Sequence, residues 1–191
     1  MKKIGITGGI GSGKSIISQT LRIMGYSVYD SDSWAKTLMN SNEEIKKKLI
    51  SKFGKETYNS KCLNKSHLAQ DIFNNNEALI HVNSIVHPIV KQHFLNWCKK
   101  QKSKLVFIES AILFTSKFNE IVDSTIFIDA PQEIRIQRAT LRDNTTSKAI
   151  LARINNQKDE ELLARTHANY TINNNNNNLI IPQLLSILQN I

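Results

Sequence analysis

Apolar residues recur along the chain at two spacings, which predict where strands and helices lie. Short apolar runs, typical of buried strands, occupy residues 3–7, 26–29, 104–109, 125–129 and 170–172. Helical spacing follows the first run over 14–24, where Gly25 is predicted to cap the helix. It returns after Pro131, which is predicted to be the first residue of a later helix. Strands that alternate with helices predict an α/β fold with a parallel sheet.

The middle of the chain has a different pattern. Helical periodicity dominates over 34–38, 43–53 and 79–100, and no apolar run there is typical of a central strand. We therefore expect one domain, with a core of residues 1–33 and 103–191 and a helical insertion over about 34–102. A closing helix is predicted over 179–191.

Asparagines fill every position from 173 to 178. Most of this run is predicted to be a flexible linker, as low-complexity tracts usually are. Its first residues directly follow a predicted strand, where α/β sheets commonly place ligand contacts. The start of the run is therefore also a candidate binding segment.

Composition is that of an ordinary globular chain. It has 191 residues, of which 40% are hydrophobic and 21% charged. It has no apolar stretch of about 18 residues, the length that spans a bilayer, and its amino terminus lacks a signal-peptide pattern. Cys62 and Cys98 have no CxxC-type partner and are expected to be reduced thiols. These features predict a cytoplasmic protein without a membrane partner.

The net charge of +9 calls for an anionic partner. Nucleic acid, a membrane surface and a polyanionic small molecule all fit that charge. The lysine runs at 46–48 and 99–102 are typical of solvated helix faces, whereas arginines are spread over 135–165. Since the chain has no recognisable nucleic-acid module and no basic stripe interleaved with aromatic residues, we expect no nucleic-acid partner.

Residues 8–15 read GGIGSGKS and match the phosphate-binding pattern GxxxxGK[ST] in full. The glycines let successive backbone N–H groups converge on phosphate oxygens, and the amino terminus of the following helix adds its dipole. Lys14 is predicted to reach the β- and γ-phosphates, and Ser15 to offer its hydroxyl to Mg²⁺. The residues predicted to bind ATP here are Gly8, Gly9, Gly11, Ser12, Gly13, Lys14, Ser15 and Ile16.

A phosphate-binding loop serves several enzyme classes, so other features must select among them. A GTPase needs an Asn/Thr-Lys-x-Asp motif, whereas residues 156–159 read NQKD, with Gln and Lys in the wrong order. A motor or a helicase needs a longer chain. The short chain, the helical insertion and the late arginines favour a small-molecule kinase of the nucleotide-kinase type.

Asp30 and Asp32 directly follow the second predicted strand. A carboxylate at that position can accept a proton from an attacking hydroxyl, or it can help to hold Mg²⁺ through water. The alternative is structural, because Asp32 could simply cap the next helix. The neighbouring phosphate-binding loop favours the functional interpretation.

Arg138 and Arg142 lie four residues apart on one face of a predicted helix, with Arg135 and Arg153 nearby. Arginines on a closing lid stabilise a transferring phosphoryl group and exclude water. The alternative is a solvated basic face paired with acidic neighbours such as Asp143. We predict a lid over about 138–153 and a catalytic role for Arg138 and Arg142.

Residues 4–15, IGITGGIGSGKS, resemble the amino terminus of the dephospho-CoA kinases, and the similarity covers nearly the whole chain. Residues 29–35, YDSDSWA, resemble that family's Asp-Ala-Asp segment, which implies that Asp32 contacts the substrate and is the catalytic base. Residues 85–88, IVHP, resemble its His-Pro motif in the lobe that receives the CoA moiety. This implies a substrate contact for His87, the alternative being a helix-start or core histidine.

Two later segments extend the resemblance. Residues 153–157, RINNQ, resemble a further signature of the family. Residues 168–174, ANYTINN, resemble its segment ending in an asparagine near the ATP adenine, which implies that role for Asn174. The asparagine run blurs the register between Asn173 and Asn174.

One segment departs from the family pattern. Residues 109–115 read ESAILFT, where family members often have DxPLLFE. Glu109 keeps the negative charge and is predicted at the substrate site. Ala111 replaces the proline of the pattern, and Thr115 replaces its final glutamate.

The resemblance implies an α/β P-loop NTPase fold, with a five-stranded parallel sheet flanked by helices, a helical substrate lobe and a lid. It implies ATP-dependent phosphorylation of the ribose 3′-hydroxyl of dephospho-CoA, the last step of CoA biosynthesis, with ATP and Mg²⁺ as cofactors. The expected partner is that small molecule, and the expected state is a monomer or a weak homo-oligomer. Another small-molecule kinase and a nucleic-acid-binding NTPase are the alternatives.

Overall fold

The computed structural model describes residues 1–60, 62–72 and 75–191. These residues divide into two compact units. The first unit comprises Met1–Asp30 and Gln101–Ile191, and the second comprises Ser31–Lys100.

The strands of the described chain, in order, are β1 (Lys2–Thr7), β2 (Ser27–Asp30), β3 (Tyr58–Asn59), β4 (Cys62–Leu63), β5 (Leu105–Glu109), β6 (Ser124–Asp129) and β7 (Tyr170–Asn173). The helices are α1 (Lys14–Ile23), α2 (Ser31–Ser41), α3 (Glu43–Phe53), α4 (Lys65–Ile72), α5 (Asn76–Cys98), α6 (Gln132–Asp143), α7 (Ser147–Asn155), α8 (Lys158–His167) and α9 (Ile180–Asn190). Short 3₁₀ turns occupy Lys55–Thr57 and Phe118–Ile121.

A parallel sheet organises the first unit. Among the described residues it has five strands, in the order β2-β5-β1-β6-β7, and each is parallel to its neighbours. All the carboxyl ends therefore meet at one edge, where Asp30 is in register with Glu109, and Asp129 with Asn173. The predicted five-stranded parallel sheet is confirmed.

One face of this sheet packs against α1 and α9. Ile4 and Ile126 of the sheet are buried against Ile17 of α1 and Leu184 of α9. Each such side chain stabilises the fold by about 1.5–3 kcal/mol relative to an exposed one. After α1, Gly25 adopts the left-handed conformation, with φ 88°, that commonly ends a helix, as predicted.

The helix after β6 begins one residue later than predicted. Pro131 is the residue before the helix, and Gln132 is the first helical residue. Pro182 lies in the first turn of α9, where its missing N–H costs no helical hydrogen bond.

The second unit is mainly helical. Its long helix α5 packs against α2, α3 and α4, and Ile45, Leu49 and Phe94 are fully buried. The antiparallel pair of β3 and β4 was not predicted, because strands of two residues each are too short to show alternation. Within the described parts of the chain, no helix combines the length and the apolar character needed to cross a membrane.

The asparagine run forms a hydrogen-bonded turn, although most of it was predicted to be a flexible linker. Asn173 is the last residue of β7. The side-chain oxygen of Asn175 accepts from the backbone N–H groups of Asn177 at 3.1 Å and Asn178 at 3.0 Å. Asparagine favours such local side-chain to backbone bonds, which explains how a low-complexity run adopts a defined shape.

Candidate active site

The phosphate-binding loop, residues 8–13, joins β1 to α1 at the carboxyl edge of the sheet. Gly11 and Gly13 have φ values of 75° and 101°, in a region that residues with a Cβ rarely adopt. Gly9 and Gly11 also lie against Arg135 of α6, and a Cβ on either glycine would overlap that residue. Backbone conformation and close packing therefore both require glycine in this loop.

Lys14 is the first residue of α1 and folds back over the loop. Its Nζ donates to the carbonyl oxygens of Gly8 at 2.5 Å and Gly9 at 3.2 Å. The N–H of Ile16 bonds to the Gly13 carbonyl at 3.0 Å, so the helix starts directly from the loop. The structure thus brings the predicted lysine, the loop glycines and a helix amino terminus together.

Ser15 and Glu109 are hydrogen bonded at the same edge. The Ser15 hydroxyl donates to Glu109 Oε1 at 3.0 Å. Glu109 is the last residue of β5, in register with Ile6 of β1 on one side and Asp30 of β2 on the other. One hydroxyl and two carboxylates therefore lie at the carboxyl ends of β2 and β5 and at the start of α1.

These oxygen donors suit Mg²⁺. Magnesium prefers one or two protein carboxylates or hydroxyls, with phosphate oxygens and water completing its shell. Among the residues that the structure describes, no group of three or more His, Cys, Asp or Glu side chains could hold a metal by itself. The hydroxyl and the two carboxylates thus fit a Mg²⁺ whose remaining ligands are phosphate oxygens and water.

Arg138 and Asn174 are joined beside the loop. Arg138 Nη2 donates to Asn174 Oδ1 at 3.2 Å, and also to Asn176 Oδ1. Asn174 Nδ2 donates to the Ser12 carbonyl at 2.8 Å, and its backbone N–H donates to the Asp129 carbonyl at 2.8 Å. The predicted adenine-site asparagine thus connects a predicted lid arginine to the phosphate-binding loop.

Arg142 contacts different residues from Arg138. Its Nε donates to Asp143 at 2.7 Å, and Arg153 Nη1 donates to the same carboxylate at 2.9 Å. The hydrogen bond from Arg142 lowers the pKa of Asp143, and the same bond raises the pKa of Arg142. Both arginine side chains are more than half exposed. Arg142 and Arg153 therefore form the solvated basic face, paired with Asp143, that was the alternative to a catalytic role.

Arg135, expected near the lid arginines, is instead buried under the phosphate-binding loop. It is 2% exposed, and its Nη1 donates to Glu161 Oε2 of α8 at 2.7 Å. Its Nε donates to the carbonyl of Ile10 at 3.1 Å. A buried guanidinium needs a carboxylate and further acceptors. Helix α8 and the loop supply them for Nη1 and Nε, whereas Nη2 has no hydrogen-bond partner among the described residues.

Two predicted substrate residues lie in the second unit. Asp32 is exposed in the first turn of α2, which begins at Ser31, so Asp32 is not the cap of this helix. His87 is partly buried in the middle of α5, not at its start. Burial, and secondarily the charge of Lys91, lower the pKa of His87, so its imidazole is uncharged at neutral pH.

Comparison with known proteins decides the family. A family model described as dephospho-CoA kinase matches residues 2–179. The chain belongs to the dephospho-CoA kinase family. A dephospho-CoA kinase of Porphyromonas gingivalis (strain ATCC BAA-308 / W83) is 41% identical over 191 residues, which cover 100% of this chain and 95% of that protein.

Solved structures agree with this membership. The Thermus thermophilus protein TT1252 superposes with a TM-score of 0.83 at 30% identity, covering 98% of this chain and 96% of that one. A dephospho-CoA kinase from Campylobacter jejuni superposes with a TM-score of 0.70 at 25% identity, covering 99% and 96%. Membership of the dephospho-CoA kinase family makes the chain a P-loop kinase that uses ATP.

Glu160 explains how this member of the dephospho-CoA kinase family accommodates its unusual segment after β5. The Glu160 side chain is buried and accepts from the Thr7 hydroxyl at 3.0 Å and the Phe114 N–H at 3.0 Å. It also accepts from the N–H and hydroxyl of Thr115, at 2.8 and 3.0 Å. Threonine, where the family often has glutamate, therefore acts as a donor to a carboxylate from α8.

Glu160 was not predicted from the sequence of this dephospho-CoA kinase family member. Its partners are 153, 46 and 45 residues away in the chain, and no local motif marks the position. Asn176 was missed for another reason, because a run of identical residues does not show which side chain makes the contact.

Proposed function

We propose that the chain transfers the γ-phosphoryl group of ATP to the ribose 3′-hydroxyl of dephospho-CoA, which gives CoA and ADP. The observation that carries this proposal is the match of residues 2–179 to the dephospho-CoA kinase family. The phosphate-binding loop supports it, because Lys14 is hydrogen bonded to the loop and the adjacent Ser15 is hydrogen bonded to Glu109 at the end of β5.

The first unit is proposed to bind ATP. Backbone N–H groups of the loop and the amino terminus of α1 bind the phosphates, and Lys14 exchanges its carbonyl partners for β- and γ-phosphate oxygens. Asn174 is proposed to contact the adenine, since it is already hydrogen bonded to Arg138 and to the loop. Arg138 and Arg142 are proposed to stabilise the transferring group when residues 138–153 act as a lid.

Ser15 is proposed to hold Mg²⁺ through its hydroxyl. Glu109, predicted at the substrate site, is proposed to lie beside that metal as well, because it is hydrogen bonded to Ser15. When bound, Mg²⁺ would supply positive charge that offsets the negative charge of the phosphates. Glu109 accepts a hydrogen bond from the Ser15 hydroxyl in the structure, which orients that hydroxyl.

The second unit is proposed to receive the acceptor. Asp32 accepts the proton of the attacking 3′-hydroxyl, and it is suited to this because it is exposed and lies two residues after the last residue of β2. His87 is proposed to contact the acceptor as an uncharged imidazole, which can donate one hydrogen bond and accept another.

A coupled ADP-release assay with ATP and Mg²⁺ tests the proposal. We expect rapid release with dephospho-CoA and background release without an acceptor. Turnover with a nucleoside or nucleotide but not with dephospho-CoA would keep the kinase and reject the substrate. Release that DNA or RNA stimulates and that needs no small acceptor would identify a nucleic-acid-dependent NTPase.

A further inference from the structure

At the tip of the phosphate-binding loop, both the N–H and the carbonyl of Ile10 are hydrogen bonded to side chains. The N–H of Ile10 donates to Gln157 Oε1 at 3.0 Å, and the Ile10 carbonyl accepts from Arg135 Nε at 3.1 Å. A loop has no strand or helix partner for its peptide groups, so side chains must supply them. These side chains lie 147 and 125 residues away in the chain, so tertiary contacts fix this part of the loop.

Helix α8 anchors both of these contacts. Gln157 directly precedes α8, and Glu161 lies in its first turn. The Glu161 N–H donates to the Gln157 carbonyl at 3.0 Å, which fixes the two residues relative to each other. Gln157 contacts the loop directly, and Glu161 contacts Arg135 at 2.7 Å.

Arg135 also packs directly against two glycines of the loop. The Arg135 guanidinium occupies the space where a Cβ of Gly9 would lie, and the Arg135 backbone occupies that of a Gly11 Cβ. Arg135 is 2% exposed, so neither the guanidinium nor the loop segment from Gly9 to Gly11 can shift without disturbing α6 and α8. The loop is therefore shaped by its protein neighbours before any phosphate binds.

We infer that Gln157 and Arg135 are positioning residues for ATP binding, which act through the Ile10 peptide while Glu161 holds Arg135. This inference rests on the proposed function, since it concerns the ATP site of that kinase. A glycine-rich loop loses conformational entropy when it closes around phosphates, and a loop that is already held loses less. The three side chains therefore raise ATP affinity through the loop.

The variant Gln157→Met tests the inference, because it keeps the side-chain length and removes the acceptor. We expect the ATP Kd, measured by calorimetry without acceptor, to rise about tenfold. The KM for dephospho-CoA and kcat at saturating ATP should change by less than about twofold. Hydrogen exchange at the Ile10 amide should become faster in the ATP-free protein. The control Gln189→Met makes the same chemical change at an exposed position of α9 and should change none of these quantities.

Arg135→Lys provides a second test. Lysine keeps the charge near Glu161 but lacks the planar fork that reaches both Glu161 and the Ile10 carbonyl. The same selective rise in ATP Kd is expected. Its control is Arg22→Lys, which alters the 3.3 Å bond from the exposed Arg22 to the Val28 carbonyl and leaves Glu161 and Ile10 untouched.

Three outcomes would overturn the inference. One is an ATP Kd of Gln157→Met within about twofold of wild type, whatever happens to the unfolding midpoint. Another is an equal rise in the constants for ATP and for dephospho-CoA, which would indicate a general structural role. The third is an equal rise in the control variants. Failure of the wild-type protein to phosphorylate dephospho-CoA would instead reject the proposed function. ATP calorimetry would still show whether Gln157 and Arg135 raise ATP affinity through the loop.

Discussion

The two units of the chain differ in how they use positive charge. All six arginines lie in the first unit, whereas the second has eleven lysines and no arginine. Arg135 and Arg138 make several directed hydrogen bonds each, to the loop, to α8 and to the asparagine turn. Lys46 and Lys48 make short-range ion pairs along α3, with glutamates three and four residues away.

This difference reflects the chemistry of the two side chains. The guanidinium is a rigid planar fork that can fix several acceptors at once, whereas the ammonium is a flexible point charge. In the first unit, Arg135 and Arg138 thus fix the positions of the groups around the phosphate-binding loop. In the second unit, surface ion pairs such as those of α3 contribute little stability. The comparison predicts that variants of the cations around the phosphate-binding loop alter ATP binding, and that variants of Asp32 in the second unit alter the acceptor step.

The largest effect is expected from Lys14→Ala. Loss of the ammonium removes the charge that contacts β- and γ-phosphates, so kcat should fall by about 10³-fold or more and ATP binding should weaken. Steady-state kinetics and ATP calorimetry measure both. Lys104→Ala, at an exposed lysine of the same unit, is the matched control. Full activity of Lys14→Ala would reject the loop as the ATP site.

Asp32→Asn tests the role of the second unit in the acceptor step. An amide cannot accept the hydroxyl proton, so kcat should fall by about 10²-fold or more while the ATP Kd stays near the wild-type value. Asp71→Asn on α4 makes the same change in the same unit and should leave both constants unaltered. Wild-type turnover in Asp32→Asn would show that another group is the base.

Arg138→Lys should have a smaller effect, on the KM for ATP as well as on the transfer step. Lysine cannot reproduce the contacts to Asn174 and Asn176 from a planar group, so the KM for ATP should rise about tenfold. Arg142→Lys should raise it less, because Arg142 contacts Asp143 rather than the asparagine turn. A larger rise for Arg142→Lys would reverse the order of importance inferred for the lid arginines.

The smallest effect concerns stability in acid. Because the pKa of His87 is lowered in the folded state, the unfolded chain binds a proton near its ordinary value of 6.5 before the folded chain does. Stability should therefore fall as pH drops below about 6.5. Urea unfolding of His87→Gln from about pH 7 to about pH 5 should show a shallower loss than wild type. An equally steep loss in both proteins would exclude this contribution of His87.

Local patterns in the sequence were sufficient for the sheet and the phosphate-binding loop. Each sheet strand is a separate apolar run, and the loop chemistry is contained in consecutive residues 8–15. The strands β3 and β4 were missed because two residues cannot show a period. The first residue of α6 was misplaced by one, because proline is common both before and at the start of helices.

Contacts between distant segments could not be predicted in the same way. Arg135 is close in sequence to the lid arginines. Its side chain is nevertheless buried under the loop, where it is hydrogen bonded to Glu161, 26 residues away. Gln157 was noticed only as part of a family signature, and its hydrogen bond to Ile10 depends on how α8 packs. Such roles depend on the folded topology, which a single sequence does not state.

The most direct test of the central claim is to identify the atom that receives the phosphoryl group. Wild-type protein, ATP, Mg²⁺ and dephospho-CoA would be incubated, and the product analysed by mass spectrometry and by phosphorus–proton NMR correlation. We predict a product heavier by one phosphate whose new phosphorus couples to the ribose H3′. A phosphate at any other position, or ADP formation with unmodified dephospho-CoA, would contradict the proposed reaction.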